Sequence, residues 1–300
     1  MTALNQEHGE RLGQLIAKHD LTVVEDVIRA HATECIILDL GDLEKYAKTG
    51  NSRYGGIPDL PPSIDWPESE GMYYGFLMQL NLAELPSIQN HPLPSSGMLY
   101  FFIDDDEDAK DVIAKVVFYQ GDMADLRPTA PPDVEKLSIP VLEQYSNLTA
   151  HELSARISLD LPGYGSSAYD KITQKANETN TGDGEARYRN LIEDALDDPC
   201  DNSIAGKLLG LASEVNDDMR VNAALVKSHR DEQLYDSDYH KAHATELSKA
   251  AEEWRLLWRI DSNFKVGINI WDAGSFYVMI RKDDLASLNF DDIYIQLETG

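Results

Sequence analysis

"GMLYFFI" at residues 97–103 and "GSFYVMI" at residues 274–280 each place a glycine ahead of a short aromatic and branched run. Runs of that length and content are strands. Sliding the chain by 177 residues puts Gly97 on Gly274, Tyr100 on Tyr277 and Ile103 on Ile280. At the same shift Val116 falls on Ile293 and Phe118 on Ile295. A slightly different shift lays "FLMQL" (76–80) over "LLWRI" (256–260), and upstream "GGIPD" (55–59) corresponds loosely to "LGLAS" (209–213). Three segments in one order read as an internal duplication of a small sheet unit.

Working outward, the expected class is α+β, with duplicated, antiparallel-rich sheet units in one compact domain spanning 1–300. Residues 1–50 read as a helical N-terminal segment, from apolar residues at helical spacing in Leu12, Leu15, Ile16 and then Val23, Val24, Val27 and Ile28. Within it "ECIILDLGD" (34–42) is a short buried strand or a helix end. Residues 51–145 form sheet repeat one, whose strands include "YYGFLMQLNL" (73–82) and "AKVVFYQ" (114–120). Residues 146–204 are a helical connector, and 205–300 a helix plus sheet repeat two, with strands in "WRLLWRID" (254–261) and "DDIYIQL" (291–297). "GGIPDLPPSIDWP" (55–67) opens repeat one as a stiff clamp. Gly55 and Gly56 allow unusual backbone angles, four prolines fix an extended path, and Trp66 pins it to the sheet.

Lys and Arg total 26 against 53 Asp and Glu, a net charge of -27. Such a surface repels phosphate backbones and anionic lipid, so nucleic-acid and membrane binding are disfavoured. The acidity itself reads first as a means of keeping the chain soluble and second as an attraction for a basic protein partner. No apolar run reaches the roughly 18 residues of a membrane span. The N-terminus lacks a signal-like apolar core, and Cys35 and Cys200 do not make a disulfide framework. Together these point to the cytoplasm.

The segments "GGIPDLPPSIDWP", "FLMQLNLAELP" and "SSGMLYFFIDDD" resemble the opening pattern of the YwqG-like bacterial proteins, a domain family without an established activity. The closing pattern is similar in "WDAGSFYVMIRKDDLASLNFDDIYIQL". The resemblance covers roughly residues 50–126 and 205–300. It implies an α+β arrangement of duplicated sheet units with helices packed around them, and, from some relatives, a role as an immunity partner of a toxin. The chain departs from the pattern at "LLGLASEVNDD", which lacks a proline and a glutamine, and at Trp271–Asp272, where an intervening glycine is missing.

Candidate chemistry is sparse. His240, His243 and Glu246 fall roughly on one face of a helix, but on a polar segment that pattern reads as solvated surface, so no metal and no cofactor is expected. "GYGSSA" (163–168) has a G-x-G-x-x-A spacing, yet Pro162 and the missing parallel-strand pattern make it a plain loop capped at Ser166 or Ser167. No nucleophile elbow or activated cysteine stands out, so catalytic residues are not assigned. The acidic run Asp104, Asp105, Asp106, Glu107 and Asp108 reads as a gatekeeper at a strand end or as a partner-binding face. The leading expectation is a non-enzymatic immunity protein that neutralises a basic toxin. The alternative is an enzyme or small-ligand binder with a pocket between the repeats, lined by Tyr100, Trp258, Trp271 and Tyr277.

Overall fold

The apolar run after the first two helices becomes the middle of the sheet. Helices α1 (Gln6–Lys18) and α2 (Glu25–His31) lead into β1 (Thr33–Leu43), where Cys35 to Leu38 are all buried. Burial on both faces explains why this strand shows a continuous apolar run without alternation. The computed structural model describes residues 4–88, 92–105, 109–137, 149–179, 183–196, 203–212 and 218–299.

Residues 51–145 supply β2 (Arg53–Tyr54), β3 (Asp59–Leu60), β4 (Glu68–Ser69), β5 (Met72–Tyr73), β6 (Gly75–Asn81), β7 (Met98–Asp105), β8 (Ile113–Tyr119) and β9 (Arg127–Pro128). Next come β10 (His151–Asp160), α3 (Ser167–Thr179), α4 (Gly184–Leu196) and β11 (Ile204–Leu208). The chain continues with α5 (Met219–Val226), α6 (Ser237–Ala242), α7 (Ala244–Ala251), β12 (Trp254–Asp261), β13 (Ser275–Arg281), α8 (Lys282–Ala286) and β14 (Ile293–Glu298). Residues 1–50 and 146–204, expected to be helical, therefore each hold a long strand as well. Those strands, β1 and β10, pair antiparallel at the centre of the sheet.

Ten strands form one antiparallel sheet in the order β14-β13-β12-β11-β1-β10-β2-β6-β7-β8. It curls until its edges nearly meet. Val112 N donates to Ile295 O at 3.1 Å, and Leu297 N donates to Ala109 O at 2.8 Å, across the seam between β14 and the segment entering β8. The interior is filled by side chains such as Trp258, Phe101 and Phe276, with Phe101 at 6.1 Å from each of the other two rings. Three layers cover the outside. Helices α1 to α4 enclose Leu159 and Leu161 at the end of β10; α5 packs Met219 and Ala223 on Trp254, Tyr277 and Tyr294; and the clamp covers β6 and β7. Among the described residues no helix is long and apolar enough to cross a membrane.

The two halves of the sheet pair alike. Phe76 opposes Phe102, Gln79 opposes Tyr100 and Asn81 opposes Met98, with a register shift between Phe76 and Met78. Leu256 opposes Met279, Arg259 opposes Tyr277 and Asp261 opposes Ser275, with a shift between Leu256 and Trp258. Likewise Arg53 faces Gln79 as Lys207 faces Arg259. The outermost strands differ from the expected alignment by two residues. Val116 opposes Phe101, and Ile295, not Ile293, opposes Val278.

The clamp is held as its composition requires. Gly55 and Gly56 have φ of 77° and 74°. Trp66 donates its indole N–H to Tyr74 O at 2.8 Å and meets Phe102 edge-on at 5.3 Å. A second glycine constraint sits in β11. Gly206 has φ of 149°, and a Cβ there would lie 2.1 Å from Arg259 O on the paired strand. Gly206→Ala is expected to cost about 1–3 kcal/mol. Gly9→Ala in α1, where nothing lies within 4 Å, is expected to stabilise by roughly 0.5–1 kcal/mol. Urea midpoints with unchanged slopes check both; a loss at Gly206 no larger than at exposed positions would contradict the first.

Candidate functional site

The strands end at two rims of different character. At the lower rim the ends of β13, β12, β11, β1 and β10 lie side by side, and a cleft of about 350 Å³ opens among them. Asp160, at the end of β10, organises its floor. Its carboxylate accepts from Lys207 Nζ at 3.0 and 3.1 Å and from Leu211 N at 2.7 Å, tying the chain after β11 to β10. Gly210, at φ 81°, permits that approach, since a Cβ would stand 2.2 Å from Asp160 Oδ2. Cys35 lies beside it, its thiol pushed up to about 12 by burial, with Asp160 adding to the effect. A thiol so raised stays protonated and is a poor nucleophile near neutrality.

The loop between β10 and α3 forms one wall. Tyr188 donates its hydroxyl to Pro162 O at 3.1 Å, and Ser166 Oγ donates to Gly163 O at 2.8 Å while accepting from Tyr169 N at 3.2 Å. Ser166 is thus the N-cap of α3, and Gly165, at φ 81°, makes the turn into it. Opposite stand Arg220 and Lys282, with Trp254 and Leu256 of β12 between them. Arg220 is engaged by Asp218 through Nε at 2.9 Å and Nη2 at 2.7 Å. Arg255, opposite Ile280 on the strand pair, differs: its Nε is buried and has no hydrogen-bond partner among the described residues, and burial pulls its guanidinium pKa below the ordinary value. A shallower depression shares Ser167, Asp218, Arg220 and Glu252 with the cleft and reaches His240.

The upper rim carries acid and aromatic surface. Asp104, half-buried, and Asp105 close β7 there; Asp106, Glu107 and Asp108 lie outside the described residues. Across the seam, Ser275 pairs with Glu298, and the turn Trp271–Gly274 packs against the end of β14. Trp271 is 48 % exposed and Phe264, in the same β12–β13 connection, is 62 % exposed. Trp271 and Ala273 hold left-handed φ of 48° and 54°. Asp272, within that turn, and Asp111, in the segment entering β8, are exposed.

The four aromatics expected to line a pocket are not brought together. Tyr100 is buried under the clamp, donating to Asp59 O at 2.6 Å. Tyr277 lies on the outer face beneath α5, Trp258 in the interior, and Trp271 on the upper rim. Nor do His240, His243 and Glu246 share a helix face, because the helix breaks at His243 between α6 and α7. Each has another use: His240 Nε2 meets Gln233 O at 2.9 Å, His243 stacks on Tyr239 at 4.0 Å, and Glu246 accepts from Arg230 at 2.8 Å. Among the described residues no group of three or more His, Cys, Asp or Glu could hold a metal. The lower cleft escaped sequence reading, although the alternation Leu153, Ala155, Ile157, Leu159 running into a Gly-Ser loop was a visible strand-to-helix signal.

Fold and rims define a mixed helix-and-sheet domain, its antiparallel sheet nearly closed around a filled interior. The chain belongs to the family described as "Domain of unknown function (DUF1963)", whose model matches residues 52–298. No curated protein matches it.

Proposed function

We propose that this chain is a binding protein that docks a basic protein partner on its upper rim. The observation that carries this is the joining of an exposed tryptophan, in a strained turn, to an acidic strand end across the seam of the sheet. Tryptophan faces attract Lys and Arg, tryptophan is enriched among residues that dominate binding energy, and surrounding carboxylates steer a cationic surface inward. Strain in the turn fits a surface kept for binding. With the net charge of -27 and the YwqG-like resemblance, the best-supported partner is a toxin that this protein neutralises in the cytoplasm. We also take the two sheet halves to descend from one duplicated unit, supported by their shared pairings and register shifts.

The test is capture from a lysate of the source organism on the immobilised protein. A basic protein is expected to bind at low ionic strength and to associate more slowly as salt rises, since the screening length falls from about 30 Å at 0.01 M to about 8 Å at 0.15 M. Trp271→Ala should weaken binding by about tenfold or more. Retention of no basic protein even at low salt would remove the reading's support.

A further inference from the structure

We propose that the flank of the sheet between β10 and β6 is a strand-addition groove, which takes an extended, basic peptide segment of a partner protein. The sheet is split there. β2 joins β10 to β6 through Arg53 and Tyr54 alone, whereas β10 runs from His151 to Asp160. The chain before β2 turns away at Asn51 and Gly50, whose carbonyls accept from Gln79 Nε2 and Asn81 Nδ2, each at 2.7 Å. Beyond Ser52 the lane alongside β10 opens as a cavity of about 350 Å³, lined by Leu38, Ser52, Glu84, Glu152, Ser154 and Ala155. That volume is within the range of a ligand site.

The register of β10 fixes which backbone groups line this lane. Leu153 N donates to Ser52 O at 3.0 Å, so the backbone of Leu153 faces the β2 side. From there the pairing with β1 is unbroken, from Leu153 opposite Leu40 to Asp160 opposite Thr33. Backbone groups alternate between the two edges of a strand, so the N–H and C=O of Ala155 and Ile157 face the lane as well. They have no hydrogen-bond partner among the described residues. Leu40 agrees from the other side: its N–H turns away from β10, to Ser203 O at 2.6 Å. Solvent reaches the same two residues. Ala155 and Ile157 are half-buried, although Leu38 and Ile36 opposite them are buried. Free donors and acceptors above an apolar floor are what an added strand requires. Charge selects the occupant. Glu84 is spent on Lys48 Nζ at 2.6 Å and on Ser52 N at 2.8 Å. Glu152 is exposed and has no ion-pair partner among the described residues. A lysine or arginine in the added strand answers it, while the net charge of -27 works against a second copy of this chain. Branched apolar residues at alternate positions suit the floor. The groove shares no residue with the upper rim and does not depend on the partner proposed for it.

A short capped peptide of alternating valine and lysine tests this on the intact chain, by calorimetry and by amide hydrogen exchange. It is expected to bind at one site and to slow exchange at the Ala155 and Ile157 amides. Methylating the peptide's backbone nitrogens along one edge removes its ladder donors and keeps every side chain, and should weaken binding by about tenfold or more. Ala155→Pro removes a donor from the lane without touching a bond to β1, and should weaken the unmodified peptide by about fivefold or more. Glu152 is exposed, so Glu152→Gln carries no risk to folding and should weaken it by about two- to fivefold. Asp170→Asn, which removes the same charge from the exposed side of α3, should leave the affinity unchanged. The proposal is overturned if the peptide does not bind at about 1 mM, if the methylated peptide binds as tightly, or if exchange at Ala155 and Ile157 does not slow. It is also overturned if both Ala155→Pro and Glu152→Gln leave the affinity unchanged. A peptide of alternating valine and glutamate that binds as tightly overturns the basic occupant, as does a dimer of this chain, seen in sedimentation, that Ala155→Pro dissociates.

Discussion

Asp59→Ala is expected to destabilise the protein by about 3–5 kcal/mol, the usual cost of orphaning a buried charge. Asp59 and Arg53 are both fully buried beneath the clamp. Asp59 Oδ2 accepts from Arg53 Nη2, from Gly50 N at 2.7 Å and from Gln79 Nε2 at 3.0 Å, so one carboxylate joins the chain before β2, β2 itself and β6. Its removal leaves a guanidinium with Asn51 Oδ1 and Ile57 O, each at 2.9 Å, and with Glu44 at 3.5 Å. Glu44 limits the loss without replacing the bonds to Gly50 and Gln79. At about 2–4 °C per kcal/mol for a domain of this size, the melting temperature should fall by roughly 10 °C. The double variant Arg53→Met/Asp59→Leu should recover part of that loss, because removing both charges avoids the orphaned cation. A single-variant loss below about 1 kcal/mol would show that the pair contributes little beyond what solvent offers.

That network also shows how far the sequence could be read. The clamp was legible because its glycines, prolines and Trp66 act through local geometry: positive φ, fixed φ and bulk. The role of Asp59 within it was not, because its partners, Arg53 and Gln79, come together only through strand pairing. The strands β6 to β8 and β12 to β14 were legible from aromatic and branched content. β1 was ambiguous because a strand buried on both faces loses its alternation. β10 keeps its alternation, but its Glu, Arg and Ser residues and its polar setting resemble helix. The register of β14 illustrates a different limit. Apolar residues two apart on one strand face are interchangeable in a sequence overlay, so Ile293 and Ile295 fit Val116 equally until hydrogen bonds choose. The lower cleft was invisible for a third reason. Its walls come from separate strand ends and from residues of α2, α3, α5 and α8, which no linear pattern brings together.

The interior offers a prediction in which two substitutions at one position separate packing from hydrogen bonding. Trp258 is fully buried at the centre of the closed sheet, against Phe101, and its indole N–H has no hydrogen-bond partner among the described residues. Trp258→Ala removes the largest interior side chain and leaves a cavity, so it should cost about 3–5 kcal/mol. Trp258→Phe leaves a smaller void but also deletes an unsatisfied buried donor, which in the native protein costs about 1–3 kcal/mol. The two terms have opposite signs, and the phenylalanine variant should therefore lose no more than about 1–2 kcal/mol. Urea unfolding of both variants reads this directly, with the slope checking that the unfolding remains two-state. If Phe is nearly as damaging as Ala, the indole N–H is satisfied in solution and the interior admits a hydrogen-bonding group. A small loss with Phe and a large one with Ala means that the interior is held together by ring volume alone, which is what lets ten strands close without a polar centre.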